Sequence, residues 1–249
     1  TTTAINSNWT KISDFLADSP VSLTGNFSTT RQWYEDAVTL LGDTVLRASG
    51  SGSRGVAFDG NATIDGRHDL SINADSTASI NLAKAVGSSA PLQSLNLASA
   101  AAVEALESLT IDGTGGSGPG LRFGSTVGNI NMTAEGSSIS NAAQDGILFA
   151  GGSTDSTLAH FTITNSGGSG VVALAGNYTG STFADSTVVG SGESGLVTVN
   201  ADGFTVVLNT FVANANHGIR FDAAKNSLAA ANVVGNNGLY GVLVVTSDE

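Results

Sequence analysis

One glycine returns every 23 to 26 residues through the second half of this 249-residue chain. It always sits in the same short apolar setting: GPGLRF, QDGILF, GSGVVA, ESGLVT, NHGIRF and LYGVLV. The six anchors are Gly120, Gly146, Gly170, Gly195, Gly218 and Gly241. The residue after each is Leu121, Ile147, Val171, Leu196, Ile219 or Val242, and seven before the last five anchors stand Ile139, Ile163, Val188, Phe211 and Val234. Both columns are wholly apolar. Five before the same anchors come Asn141, Asn165, Gly190, Ala213 (with Asn214 beside it) and Asn236, a column rich in residues that accept left-handed backbone at a corner. A unit of this length cannot bury its own apolar edge. Units therefore stack through backbone hydrogen bonds ~4.8 Å apart and share one continuous interior. The expectation is an all-β solenoid of roughly ten coils, each of about 22–26 residues. The residues one and three after each anchor face inward, and the corner asparagines bond from coil to coil.

The pattern Φ-x-N-x-x-x-x-G-Φ, where Φ is apolar, resembles the right-handed parallel β-helix repeat of pectate-lyase-like proteins and bacterial surface exoproteins, over residues 115 to 249. Right-handedness is implied by that resemblance and by the general preference of parallel crossovers. The first half is less regular, but VTL, TVLRA, VAF, LSINA, INL, LQSLNLAS and LTIDG alternate like strands between Gly, Asn, Asp and Ser breaks. Its wording is similar to the repeats of filamentous-haemagglutinin-like exoproteins, most of all in the AVG-x-x-x-PL-x-SL-x-L unit from Ala85 to Leu97. The expected organisation is a cap or irregular first coils over 1–36, exoprotein-like coils over 37–115 and regular β-helix coils over 116–249. NWTKISDFLADSP reads as a helical cap or connecting turn, and STTRQWYEDAVTLLGD as strand.

The segment NANHGIRFDAAKN gathers His217, Arg220, Asp222 and Lys225 in a chain with nine Lys and Arg and three His. Such a concentration is a candidate catalytic centre, and the repeat tests it. Strand alternation turns Ile219 and Phe221 inward and Arg220 and Asp222 outward. Two residues after each anchor the column reads Arg122, Leu148, Val172, Val197, Arg220, Leu243, so Arg220 lies between aliphatic neighbours, and Asp222 lies between Val199 and Val245. A lyase on this architecture needs grouped acids with a Lys or Arg base, and a hydrolase needs two carboxyls ~5–9.5 Å apart. The register shows neither, with Asp145, Asp155 and Asp185 standing singly. The favoured reading is an Arg220–Asp222 surface pair, the competing one catalysis by Arg220, Asp222, His217 and Lys225. His160 reads as a strand residue and His68 as a turn residue, and neither stacks with His217, so no metal site is expected. No cofactor is expected.

A formal net charge of −12 argues against an electrostatic grip on nucleic acid. No run approaches the ~20 apolar residues of a membrane span, so membrane insertion is not expected. The absence of Cys removes thiolate chemistry and says little of compartment. Together with the exoprotein resemblance, these features imply a non-catalytic extracellular stalk or adhesion scaffold of a bacterial surface protein, with a surface polysaccharide or another cell-surface ligand as partner. The alternative on the same fold is a carbohydrate-active lyase or epimerase. The start at Thr1 without a leader suggests an excised or processed piece of a longer polypeptide. Leu148, Val172, Val197 and Leu243, joined by Leu174, Val199 and Val245, make an outward strand face aliphatic where a solvated face alternates. That strip is expected to be covered, either by the N-terminal segment or a neighbouring part of the full protein, or by a partner or self-association. The last strand, GVLVVTSDE, has no following coil and only the short acidic TSDE as cap, which predicts self-association through the solenoid end.

Overall fold

The computed structural model describes residues 3–6, 9–50, 52–82, 84–105, 107–133 and 135–246. Every regular element among them is a strand. Strands pair in parallel with the next coil, giving a β-helix of about 9 turns. Each regular coil has three faces. In one coil they are Ile147–Phe149, Thr157–Ala159 and Phe161–Thr164. The strands Val21–Tyr34, Ser94–Ala105 and Leu121–Met132 run through the bend between the first two faces without a break. Those faces thus form one curved 19-stranded sheet, and the third face is a separate six-stranded sheet starting at Thr110–Asp112.

The residues one and three after the anchors point inward, as the alternation requires. Leu121, Ile147, Val171, Leu196 and Ile219 are fully buried, as are Phe123, Phe149, Ala173 and Thr198. Inside the bend, Phe123 stacks on Phe149 at 5.1 Å, and Phe149, Tyr178 and Phe204 meet edge to face. The predicted corner column adopts the left-handed conformation throughout, with φ of 54° at Asn141, 55° at Asn165, 70° at Gly190, 56° at Ala213 and 54° at Asn236. The anchor glycines do not share it. They are small for lack of space, not for backbone freedom.

Three expectations change. The segment from Trp9 to Ala17 is a strand, not a helix, because it pairs with Phe27–Tyr34. Phe15 packs on Tyr34 at 5.5 Å and Ala17 is buried, with Leu16 turned out between them. Long-range pairing decides the period over local helix propensity. The second change concerns the asparagine ladder. Of the corner asparagines, Asn141 does bond to the preceding coil, its Nδ2 donating to Asp112 Oδ1 at 3.0 Å, but the buried coil-to-coil bonds come from the residue after the corner. Asn214 Nδ2 donates to Asn237 Oδ1 at 2.9 Å, and Ser191 N donates to Asn214 Oδ1 at 3.0 Å. His160 is also not within a strand; it holds a corner at φ 64°.

At the C-terminal end the interior columns come to the surface. Val242 and Val244 are 52% and 63% exposed, where the equivalent Ile219 is 0%. Of the acidic cap anticipated from Thr246 to Glu249, Ser247, Asp248 and Glu249 lie outside the described residues.

Candidate functional site

The outward column two after the anchors runs unbroken along the first face. Register pairs link Val45, Ser71, Asn96, Arg122, Leu148, Val172, Val197, Arg220 and Leu243 in that order. Arg220 therefore sits between Val197 and Leu243, and Asp222 between Val199 and Val245. Arg220 Nε lies 2.9 Å from Asp222 Oδ1 and Nη2 lies 2.7 Å from Oδ2. This is a two-pronged pair in which the planar guanidinium matches the carboxylate. Both charges are spent on each other.

The other two members of the segment serve the scaffold. His217 is buried and stacks on Tyr240 with ring centroids 5.6 Å apart and planes 2° from parallel. Its Nδ1 accepts the Tyr240 backbone N–H at 3.3 Å, and its own N–H reaches Ser194 Oγ. Lys225 belongs to the backbone ladder, bridging Asp202, receiving Gly203 N–H at its carbonyl and donating to Ala201.

Leu148, Val172, Val197 and Leu243 are half-buried on the outer surface, flanked by Leu174 at 37% and Val245 at 41% exposure. The N-terminal strands do not lie over them. Thr3–Asn6 stacks on Val21–Thr24 and Trp9–Ala17 on Phe27–Tyr34, continuing the coil at its far end.

Higher on the same face the character reverses. A cleft of about 270 Å³ opens over Asp43, Asp69, Ser71, Ser94 and Asn96. Asp69 N donates to Asp43 Oδ1 at 3.1 Å, Ser94 Oγ to Asp69 Oδ1 at 2.7 Å, Asn96 Nδ2 to Ser71 Oγ at 3.1 Å and Arg122 Nη1 to Asn96 Oδ1 at 3.1 Å. His68 Nδ1 stands 3.8 Å from Asp43. Asp43 and Asp69 thus meet on adjacent coils, a grouping absent from the regular repeats. The spacings of 26 and 25 residues from Asp43 to Asp69 to Ser94 were the signal, since they extend the period into the irregular half.

A second grouping lies at the corner before the first face. Ser169 donates its N–H to Asp145 Oδ1 at 2.9 Å and its hydroxyl to Glu193 Oε2 at 3.3 Å. Asp145 does not stand singly, as its column suggested. Glu193 precedes its anchor by two residues rather than one, which hid it from a column reading. Burial pushes the Asp145 carboxyl up, the Ser169 N–H pulls it back and the Glu193 charge raises it further. A carboxyl raised in the folded state favours the protonated form. Its contribution to stability is full below the ordinary Asp range and is lost as pH rises through the raised value. Asp145→Asn keeps an oxygen for Ser169 and removes the charge. Thermal melts should show the variant more stable than the parent at pH 7, with the two converging near pH 3.5, below the ordinary Asp value of ~3.9.

Among the described residues no three His, Cys, Asp or Glu side chains converge as a metal group would require, and no helix is long and apolar enough to cross a membrane.

Compared with known proteins, residues 98–249 match the family model described as right handed beta helix region. No curated protein matches the chain. Among solved structures, tailspike protein 2 of Escherichia coli O157:H7 bacteriophage CAB120 is similar at 12% identity with a TM-score of 0.42, over 90% of this chain. The chain spans 38% of that tailspike's length.

Proposed function

The chain belongs to the right-handed β-helix family, and from that premise we propose that it is a non-catalytic extracellular scaffold, a stalk that presents its outer first face to a surface polysaccharide or another cell-surface ligand. The observation that carries this reading is the in-strand pairing of Arg220 with Asp222 between aliphatic neighbours. A lyase base has to be free to take a proton and within reach of a substrate held by further charges. Arg220 already holds the only carboxylate on its strand, and His217 is committed to the Tyr240 backbone. The acidic, Cys-free composition and the exoprotein-like wording of residues 37–115 support an extracellular setting. Leu148, Val172, Val197 and Leu243 are the interface residues in this reading.

One observation favours a carbohydrate-active enzyme instead. Asp145 and Glu193 flank Ser169 from next-but-one coils, and a carboxyl held up beside a second carboxylate is the arrangement of a general acid with its base. Against it, Ser169 fills the interval with an N–H on one side and a hydroxyl on the other, where a hydrolase leaves room for substrate. Incubation with pectate, alginate and hyaluronan, followed by unsaturated-product absorbance and by reducing ends, separates the two. The scaffold reading expects no turnover of any polymer, with retention on at least one immobilised glycan. Turnover lost in Arg220→Ala, or in Glu193→Gln, would overturn it.

A further inference from the structure

The aliphatic strip is two columns wide, and the columns match each other. At the positions two and four after successive anchors stand Leu148 and Ala150, Val172 and Leu174, Val197 and Val199, Arg220 and Asp222, Leu243 and Val245. The register pairs hold the levels in line along the solenoid. On Leu196–Val199, Ile219–Asp222 and Val242–Val245 the two outward positions lie ~6.8 Å apart, and at the other two levels Ala150 and Leu174 follow directly after the strands Ile147–Phe149 and Val171–Ala173. Consider a two-fold axis parallel to the solenoid and midway between the columns. It lays the first column of one copy on the second column of another, at every coil at once, which is the self-complementarity an isologous contact demands. Four levels then meet aliphatic to aliphatic. The fifth is the only charged one, and it too complements itself: Arg220 faces Asp222 of the second copy, and Asp222 faces Arg220 of the second copy. A reversed coil order over the same five levels would set the Arg220–Asp222 level against Val172 and Leu174 instead.

We propose that this strip is a two-fold interface between copies of this chain, laid side by side with their coils in the same direction and closed by a four-membered Arg220–Asp222 cluster. This goes beyond the scaffold reading by giving the strip to a second copy, which leaves a glycan the polar part of the first face over Asp43, Asp69, Ser71, Ser94 and Asn96, and it does not depend on whether a glycan binds. Several features fit. The strip is half-buried by its own neighbours but carries exposed edges at Leu174 and Val245. Its one ion pair is neutral overall, so the chain's net charge of −12 does not fall on the contact. A strip this narrow is at the low end of specific interfaces, so the dimer dissociates in the micromolar range.

Sedimentation velocity on the 249-residue chain from about 2 to 200 μM tests it, since that range brackets the ~μM dissociation expected of a small interface. The parent dimerises. Val197→Lys, Arg220→Glu and Asp222→Arg each weaken dimerisation at least ~10-fold, the two charge reversals by setting like charges across the axis and the lysine by placing a charge among aliphatic side chains. An equimolar mixture of Arg220→Glu and Asp222→Arg regains it as a heterodimer, because the first variant is acidic at both positions, the second is basic at both, and each acid then faces a guanidinium across the axis. That recovery requires both variants to be folded, and neither stacking through the solenoid end nor a purely intrachain role for the pair produces it. A parent that stays monomeric throughout, single variants that associate as the parent does, or a mixture that stays monomeric would each overturn the assignment. Loss of glycan retention without any change in association would touch only the scaffold reading.

Discussion

Gly170→Ala should lower the thermal midpoint by roughly 6–12 °C, taking about 3 kcal/mol of overpacking at 2–4 °C per kcal/mol for a chain of this size. A single methyl there has nowhere to go. A Cβ built on Gly170 lies 2.1 Å from Val188 Cγ1 and 2.6 Å from the Gly195 carbonyl oxygen. The first contact is with the third-face column inside the coil, the second with the backbone of the next coil, and that backbone cannot retreat without breaking the bond from Val171 N–H to Gly195 O at 2.9 Å. The anchor is thus a point where the first-face strand leaves a corner so close to the interior that only hydrogen fits. Val188→Ala in the Gly170→Ala background should restore some of the loss, since it clears the first contact but not the second. Gly235, where an added Cβ meets nothing within 4 Å, is the control and should tolerate Ala with little change in the melting curve.

That glycine column is also where the fold was most legible. Its period, its apolar companions and its left-handed corner residues are all visible as spaced identities, because each coil solves the same packing problem with the same residue sizes. Arg220 and Asp222 could be placed between named neighbours from spacing alone. The first half was less open to this. The spacings into Asp43, Asp69 and Ser94 are as regular as those downstream, but register shifts interrupt the pairing, between Ile72 and Asn73 and between Phe123 and Thr126. A shift of one residue exchanges inside for outside. Asp43 and Asp69 lie on strands paired without a shift, and they were hard to read because, with Ser94, they stand where the anchor glycine stands downstream. Trp9–Ala17 failed for a different reason. Its apolar spacing satisfies a helix locally, and only its partner strand, Phe27–Tyr34, fixes the alternation. Glu193 escaped because a loop, not a strand, carries it to Ser169, and loops do not keep a column.

Asparagines also follow the left-handed residues Leu208 and Ala231 at another corner, and how deeply each is sealed governs which of them the fold depends on. Asn209, 1% exposed, accepts the Ser186 backbone N–H at 3.0 Å. Its Nδ2 reaches the Phe183 and Val207 carbonyls at 2.9 Å each and Asn232 Oδ1 at 3.2 Å. Every one of those groups is backbone, or another rung of the same ladder, at a corner where the strand-to-strand bonds lapse. Leu has nearly the same volume and none of the bonds, so Asn209→Leu isolates the polar contribution from a cavity effect. It leaves the Ser186 N–H without a partner in a dry interior, at ~1–3 kcal/mol, while the Phe183 carbonyl, on a strand paired with Thr205–Val207, loses only its side-chain donor. The expected loss is about 2 kcal/mol, seen as a midpoint lower by roughly 4–8 °C. Asn209→Ser should lose only about half as much, because Ser186 already serves as the acceptor in the preceding coil, receiving the Phe161 N–H at 3.0 Å. Asn232→Leu, at a half-exposed rung, should lose less again, since water can reach the groups it abandons. Equal losses at Asn209 and Asn232 would mean that the ladder acts through packing alone and that its hydrogen bonds contribute nothing net. The graded order instead ties stability to how deeply each unpaired group is sealed, so a solenoid of this kind is weakest at the coil where its interior polar ladder first meets solvent.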